Sequence, residues 1–113
     1  MIKRNTLVYL KDILESIERI ENYTKSVKEE NFYEDLQLQD AVLKRLEIIG
    51  EAVKNIPASI RKKYPEIPWK EMAGLRDVLV HEYFGVNQKR VWKVVAKRLS
   101  PLKEQIAKIL KEV

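Results

Sequence analysis

The sequence predicts an all-α protein, an up-and-down antiparallel bundle of four to five helices. Two observations carry that reading. Apolar residues recur three and four positions apart in one segment after another, the period of helices that each bury one face, and no stretch alternates as a half-buried strand would. The chain also has three glycines and four prolines among 113 residues, so turns are few and elements long. A chain of this length reads as one domain over residues 1–113, with a single modest core.

Residues 5–27 form the first predicted helix, with Leu7, Leu10, Leu14 and Ile17 on its apolar stripe, Ile13 and Ile20 beside them, and Asn5 or Thr6 as N-cap. Residues 28–34 break the pattern and read as a connection. A second helix is expected from about Asp35 to Ile56, buried along Val42, Leu46, Ile49, Val53 and Ile56. Gly50 in its middle costs roughly 1 kcal/mol relative to alanine. Close approach of another helix would compensate, and the helix carrying His81 is the candidate. Residues 57–68 hold three prolines, with room for a turn or two of helix over 58–64.

Pro68 suits the first position of a third helix, where its missing N–H is not needed. Trp69, Met72, Leu75 and Leu79 follow along its apolar side, and Gly74 is expected to admit tight packing. This helix should fray near Tyr83 and stop at Gly85. Asn87 then caps a fourth helix of about Gln88 to Leu99, and Pro101 starts or kinks a last segment bearing Leu102, Ile106, Ile109 and Leu110.

Composition narrows the function. There is no cysteine, which excludes disulfides, thiolate nucleophiles and thiolate metal sites, and a single histidine makes a zinc centre a poor expectation. No metal or cofactor is expected. Charges at Lys11, Asp12 and Glu15 argue against a signal peptide or membrane span, so a cytoplasmic protein is the expectation. The net charge of +5 is uneven: residues 87–113 hold eight bases against two acids, while the first 86 residues hold fourteen bases against fifteen acids. A basic C-terminal third admits a polyanion such as RNA, although a solvated lysine-rich helix face explains the same charges.

One stretch concentrates the chemistry: Arg76-Asp77-Val78-Leu79-Val80-His81-Glu82-Tyr83. On a helix, Asp77 and His81 share a stripe, Arg76 and Tyr83 share an adjoining one, and positions five apart diverge by about 140°. Histidine can move protons near neutral pH, and the planar fork of arginine matches two phosphate oxygens. RNA brings its own nucleophile, the 2′-hydroxyl, so its cleavage needs a base, an acid and a cation but no metal. One histidine cannot readily be both acid and base at once; a two-fold dimer would supply two. Glu51, beside Gly50, could reach a buried cation or face solvent. Ion pairing and capping would explain the cluster as well.

Arg76-x4-His81-x-Tyr83, with polar Asp77 directly after the arginine, resembles the signature of HEPN-domain toxins of the HepT type. Residues 41–52 (Ala41 to Ala52) look like that family's second helix, and residues 67–75 (Ile67 to Leu75) like the lead-in to its catalytic helix. The resemblance covers nearly the whole chain. It implies a metal-independent ribonuclease toxin acting on tRNA or mRNA, and a homodimer with the motifs at the subunit interface. It further implies a partner, a minimal nucleotidyltransferase antitoxin of the MntA type, that silences the toxin by moving AMP onto the motif tyrosine. By position, Arg76 would bind the scissile phosphate, His81 would transfer the proton, Asp77 would orient one of them, and Tyr83 would accept AMP. The competing expectations are a non-catalytic helical scaffold or nucleotide-binding accessory of the transferase, and an RNA-binding protein that uses the basic C-terminal helices without catalysis.

Overall fold

The computed structural model describes residues 3–81 and 87–112, except for the side chains of Leu75 and residues 77–81. Among the described residues every regular element is helical, with no strand. The expected all-α bundle is what forms, as four long helical runs with two short helices between them.

Helix α1 (Arg4–Thr24) buries Leu10, Ile13, Ile17 and Ile20. Leu7 and Leu14 sit at the edge of that face and are only partly covered. The expected cap differs. Lys3 holds the N-cap position without a side-chain bond, and Asn5 Oδ1 accepts the Thr6 N–H at 2.9 Å from inside the first turn. An otherwise unsatisfied amide is still met, from a position two residues later.

Residues 28–34, expected as a connection, instead contain a six-residue helix, α2 (Glu29–Glu34). Glu29 and Glu30 complement the helix dipole in its first turn. Phe32 is fully buried, with its ring 5.2 Å from that of Trp92. Gln39, itself buried, donates its amide to the carbonyls of Phe32 and Tyr33 at 3.0 and 3.1 Å. One anchoring aromatic and two satisfied carbonyls hold a helix too short to show a period.

Helix α3 (Leu36–Lys54) begins at Asp35, whose carboxylate accepts the Leu38 N–H at 3.0 Å. Val42, Leu46, Ile49, Ala52 and Val53 are buried along it, and Ile56 remains buried two residues past its end. Arg61, on α4 (Ala58–Lys63), closes that end: its guanidinium donates to the carbonyls of Val53, Lys54 and Ile56 at 2.9, 3.3 and 3.1 Å. Val53 and Lys54 are among the last carbonyls of the helix, the group that its C-terminus leaves short of regular helical partners, and Ile56 follows just beyond it.

Helix α5 (Trp69–His81) starts one residue after Pro68, whose carbonyl accepts the Met72 N–H at 3.1 Å. Trp69 is buried and donates its indole N–H to the Tyr64 carbonyl at 2.9 Å, which pins the start of the helix to the proline-rich segment. The expected fraying at Tyr83 and stop at Gly85 fall outside the described residues.

Asn87 caps α6 (Gln88–Lys93) as expected, its side-chain oxygen accepting the N–H groups of Lys89 and Arg90 at 2.9 and 3.4 Å. Pro101, expected to start or kink a last segment, lies in the first turn of α7, just after an irregular turn. The chain continues through a π turn, Val94–Arg98, straight into α7 (Leu99–Lys111). Pro101 has no N–H, and its ring would crowd the carbonyl four residues back. Widening the preceding turn, with Leu99 N–H bonded to the Val94 carbonyl, relieves that crowding without ending the helix.

Helix α3 packs against both α1 and α5, α7 lies against α1, and α2 joins α3 to α6. Among the described residues, no helix is long and apolar enough to cross a membrane.

Candidate functional site

The site is built where α5 crosses α3. Gly50 is buried at the crossing, and a Cβ placed on it would stand 2.1 Å from Cβ of Arg76, 3.1 Å from its Cγ and 3.0 Å from its Cα. Glycine is required here by the approach of a backbone, and the expected compensation for a mid-helix glycine is met by the helix that carries His81. Because α3 touches the root of Arg76, the stem of that side chain is fixed and its head can be aimed.

The head is aimed at Glu51. Arg76 Nε lies 2.9 Å from Glu51 Oε2, and the two side chains are 28% and 56% exposed. Both readings of Glu51 are thus partly right: the carboxylate stands half in water and still reaches a mostly covered cation. Gly50 and Glu51 divide the work between neighbouring positions, one admitting the arginine and the other holding its charge.

Helix α5 runs unbroken to His81, so its backbone sets the register of the motif. Positions 77 and 81 are one turn apart on one stripe, and position 81 lies about 140° around from Arg76. Asp77 and His81 are placed by backbone alone, and Tyr83 lies outside the described residues. Among the described residues, no group of three or more histidine, cysteine or acidic side chains is arranged to hold a metal ion.

A second feature was only half legible in the sequence. An open groove of about 910 Å³ runs between the first half of α5 and the run formed by α6, the π turn and α7. Leu46, Ile49, Met72 and Leu102 give it apolar lining, while Arg90, Lys93, Lys97 and Arg98 come from one wall. Gly74 lines it too, and no described atom lies within 4 Å of where a Cβ on Gly74 would stand. Among the described residues, the tight packing expected at Gly74 is therefore not formed. The spacing of Arg90, Lys93 and Lys97, three and four apart, was the available signal for a common face. Their convergence on α5 depends on tertiary packing.

The family model described as Ribonuclease HepT-like matches residues 13–109. Relatives include a Methanocaldococcus jannaschii protein named "Gamma-glutamylcyclotransferase and putative RNase", 51% identical over 99% of this chain and 50% of its own length. A second protein of that organism, named "Putative RNase", is 45% identical over 100% of this chain and 93% of its own. A Thermococcus cleftensis protein named "Probable ribonuclease HepT" is 47% identical over 97% of this chain and 100% of its own. The chain thus spans half the length of the first relative and nearly all of the other two. No solved structure matches it. The match over most of the chain, and relatives of 45% and 47% identity over nearly their whole length, define the class, and the chain belongs to the HepT-like ribonuclease family.

Proposed function

We propose that the chain is a metal-independent endoribonuclease toxin, with Arg76 and His81 as its catalytic residues. The observation that carries this reading is Arg76 held between Gly50 and Glu51 on the motif helix of a HepT-like ribonuclease family member.

In this reading Arg76 takes two non-bridging oxygens of the scissile phosphate and neutralises charge on the phosphorane. Histidine at position 81 serves the proton transfers. A base removes the 2′-hydroxyl proton, the 2′-oxygen attacks phosphorus, and the P–O5′ bond breaks. An acid protonates the departing 5′-oxygen, leaving a 2′,3′-cyclic phosphate and a 5′-hydroxyl. Two such roles at one phosphate call for two histidines, so the working unit is a homodimer with each motif at the interface. Asp77 orients His81 or Arg76, and Glu51 positions Arg76.

Tyr83 is the control point. A MntA-like nucleotidyltransferase antitoxin transfers AMP from ATP to its hydroxyl, releasing pyrophosphate. The added phosphodiester places bulk and negative charge beside the arginine meant for substrate. tRNA and mRNA are the substrate classes to test.

The deciding experiment is cleavage of end-labelled tRNA in EDTA by protein whose mass shows no AMP, beside His81→Ala. Cyclic-phosphate fragments from the wild type alone are expected. Intact RNA in both lanes would overturn the reading and leave a non-catalytic scaffold for the transferase.

A further inference from the structure

The groove between α5 and the C-terminal run is not used by the chemistry above, and bases outnumber acids in its lining, Arg90, Lys93, Lys97 and Arg98 against Glu66 and Glu71. Arg90, Lys93 and Lys97 are exposed on one wall and form no ion pair with another described residue. Arg98 is the exception, 3.6 Å from Glu71 across the groove. In a regular α-helix, positions 93 and 98 would point about 140° apart. In a π turn, residues five apart come round to nearly the same side, so the turn at Val94–Arg98 lets Lys93, Lys97 and Arg98 line one groove. The device that accommodates Pro101 also gathers charge.

The opposite wall gives the groove a direction. Gly74 lines it, and on α5 the positions three and seven residues beyond Gly74 are Asp77 and His81. These positions share the face of Gly74, with position 81 about 10.5 Å further along the axis. The groove and the motif positions thus lie on one face of α5.

We infer that this groove is the track for the flanking RNA strand, with Arg90, Lys93 and Lys97 binding phosphates next to the one that is cut. The inference rests on the ribonuclease reading and names how that site holds its substrate. A polyanion is the occupant the wall fits: three bases without acidic partners, within a C-terminal segment of eight bases and two acids. The apolar lining suits the sugars and base edges of a strand lying along it.

The test uses a short fluorescent 2′-O-methyl oligoribonucleotide, which has no free 2′-hydroxyl and is not consumed. Its anisotropy is read against salt with wild-type protein, with the triple variant Arg90→Gln/Lys93→Gln/Lys97→Gln, and with Lys62→Gln/Lys63→Gln on α4 as a charge control. Three lost phosphate contacts on a single strand should reduce the salt slope by about 2 and weaken binding at least roughly tenfold, with the control near wild type. Far-ultraviolet circular dichroism and light scattering on each variant confirm fold and mass.

An unchanged slope in the triple variant, or an equal fall in the control, overturns the inference. So does a change in assembly mass with RNA binding intact, since the groove would then be a protein interface. The ribonuclease reading fails separately. A groove-dependent salt slope in a wild type that cuts no RNA would sustain the track and remove the nuclease.

Discussion

Cα of Arg76 stands 3.0 Å from the place a Cβ on Gly50 would occupy, so the arginine of the motif enters through a gap that only glycine leaves. This ties the placement of the motif arginine to helix packing at one point. Gly50→Ala gains helix propensity of about 1 kcal/mol. It also drives a methyl group into the Cβ and backbone of Arg76, atoms that cannot rotate away. Overpacking of this kind costs about 1–3 kcal/mol, so the variant should be less stable despite the propensity gain, with a lower urea midpoint at unchanged slope. RNA cleavage should fall further than stability, because the displaced helix carries the motif. A more stable Gly50→Ala protein would show that the contact is not tight in solution.

Gly74 gives the opposite expectation from the same residue type. No described atom would meet its Cβ, so Gly74→Ala should raise stability by up to about 1 kcal/mol through helix propensity and unfolded-state entropy. Thermal unfolding of the two alanine variants side by side is the measurement. Shifts of opposite sign are expected, and a destabilised Gly74→Ala would mean that the groove is closed over that position.

Glu51 separates holding from catalysis. Its pair with Arg76 is half in water, so Glu51→Gln should change stability by less than about 1 kcal/mol. The rate should respond more strongly, because Arg76 loses the charge that fixes its head. A fall in kcat of about tenfold, equivalent to roughly 1.4 kcal/mol of transition-state stabilisation, is expected without a rise in KM. A carboxylate beside the proposed phosphate site would repel substrate, so its removal should not weaken RNA binding. Glu51→Asp should recover part of the rate. A higher KM with unchanged kcat would instead place Glu51 in substrate binding.

The parts legible in the sequence were those set by period or by single-residue chemistry. The apolar stripes of α1 and α3, the Asn87 cap and the demand of Gly50 for a close neighbour all follow from rules local to a helix. What escaped depends on distant partners. Helix α2 has too few residues for a period and is secured by Phe32 against Trp92, sixty positions away in the chain. Pro101 reads as the start or kink of a last segment, but the form the kink takes, one widened turn upstream, is not visible in the sequence. Gly74 and Gly50 look equivalent in the sequence, and only the positions of neighbouring helices separate them. The motif was visible because its residues lie within eight consecutive positions of the sequence. The groove was not, because its walls come from segments about twenty residues apart.

Tyr64 offers a pH test of how the C-terminus is fastened. Its buried ring donates the hydroxyl proton to the Glu112 carboxylate, tying the proline-rich segment to the end of α7. That hydrogen bond, followed by burial and then by the nearby negative charges of Glu112 and Glu66, raises the phenol pKa above its ordinary value of 10.0. The sign follows from proton binding. Between the unfolded and folded pKa values the native state keeps a proton that the unfolded chain has released, so stability falls as pH rises across that interval. The contribution is fully present below about pH 10 and is lost as the folded phenol ionises, when a phenolate would face a carboxylate. Denaturant midpoints of wild type and Tyr64→Phe should therefore differ at pH 8, in favour of the wild type, and converge above pH 10. A gap that stays constant through pH 11 would show that the ring, and not its proton, accounts for the difference.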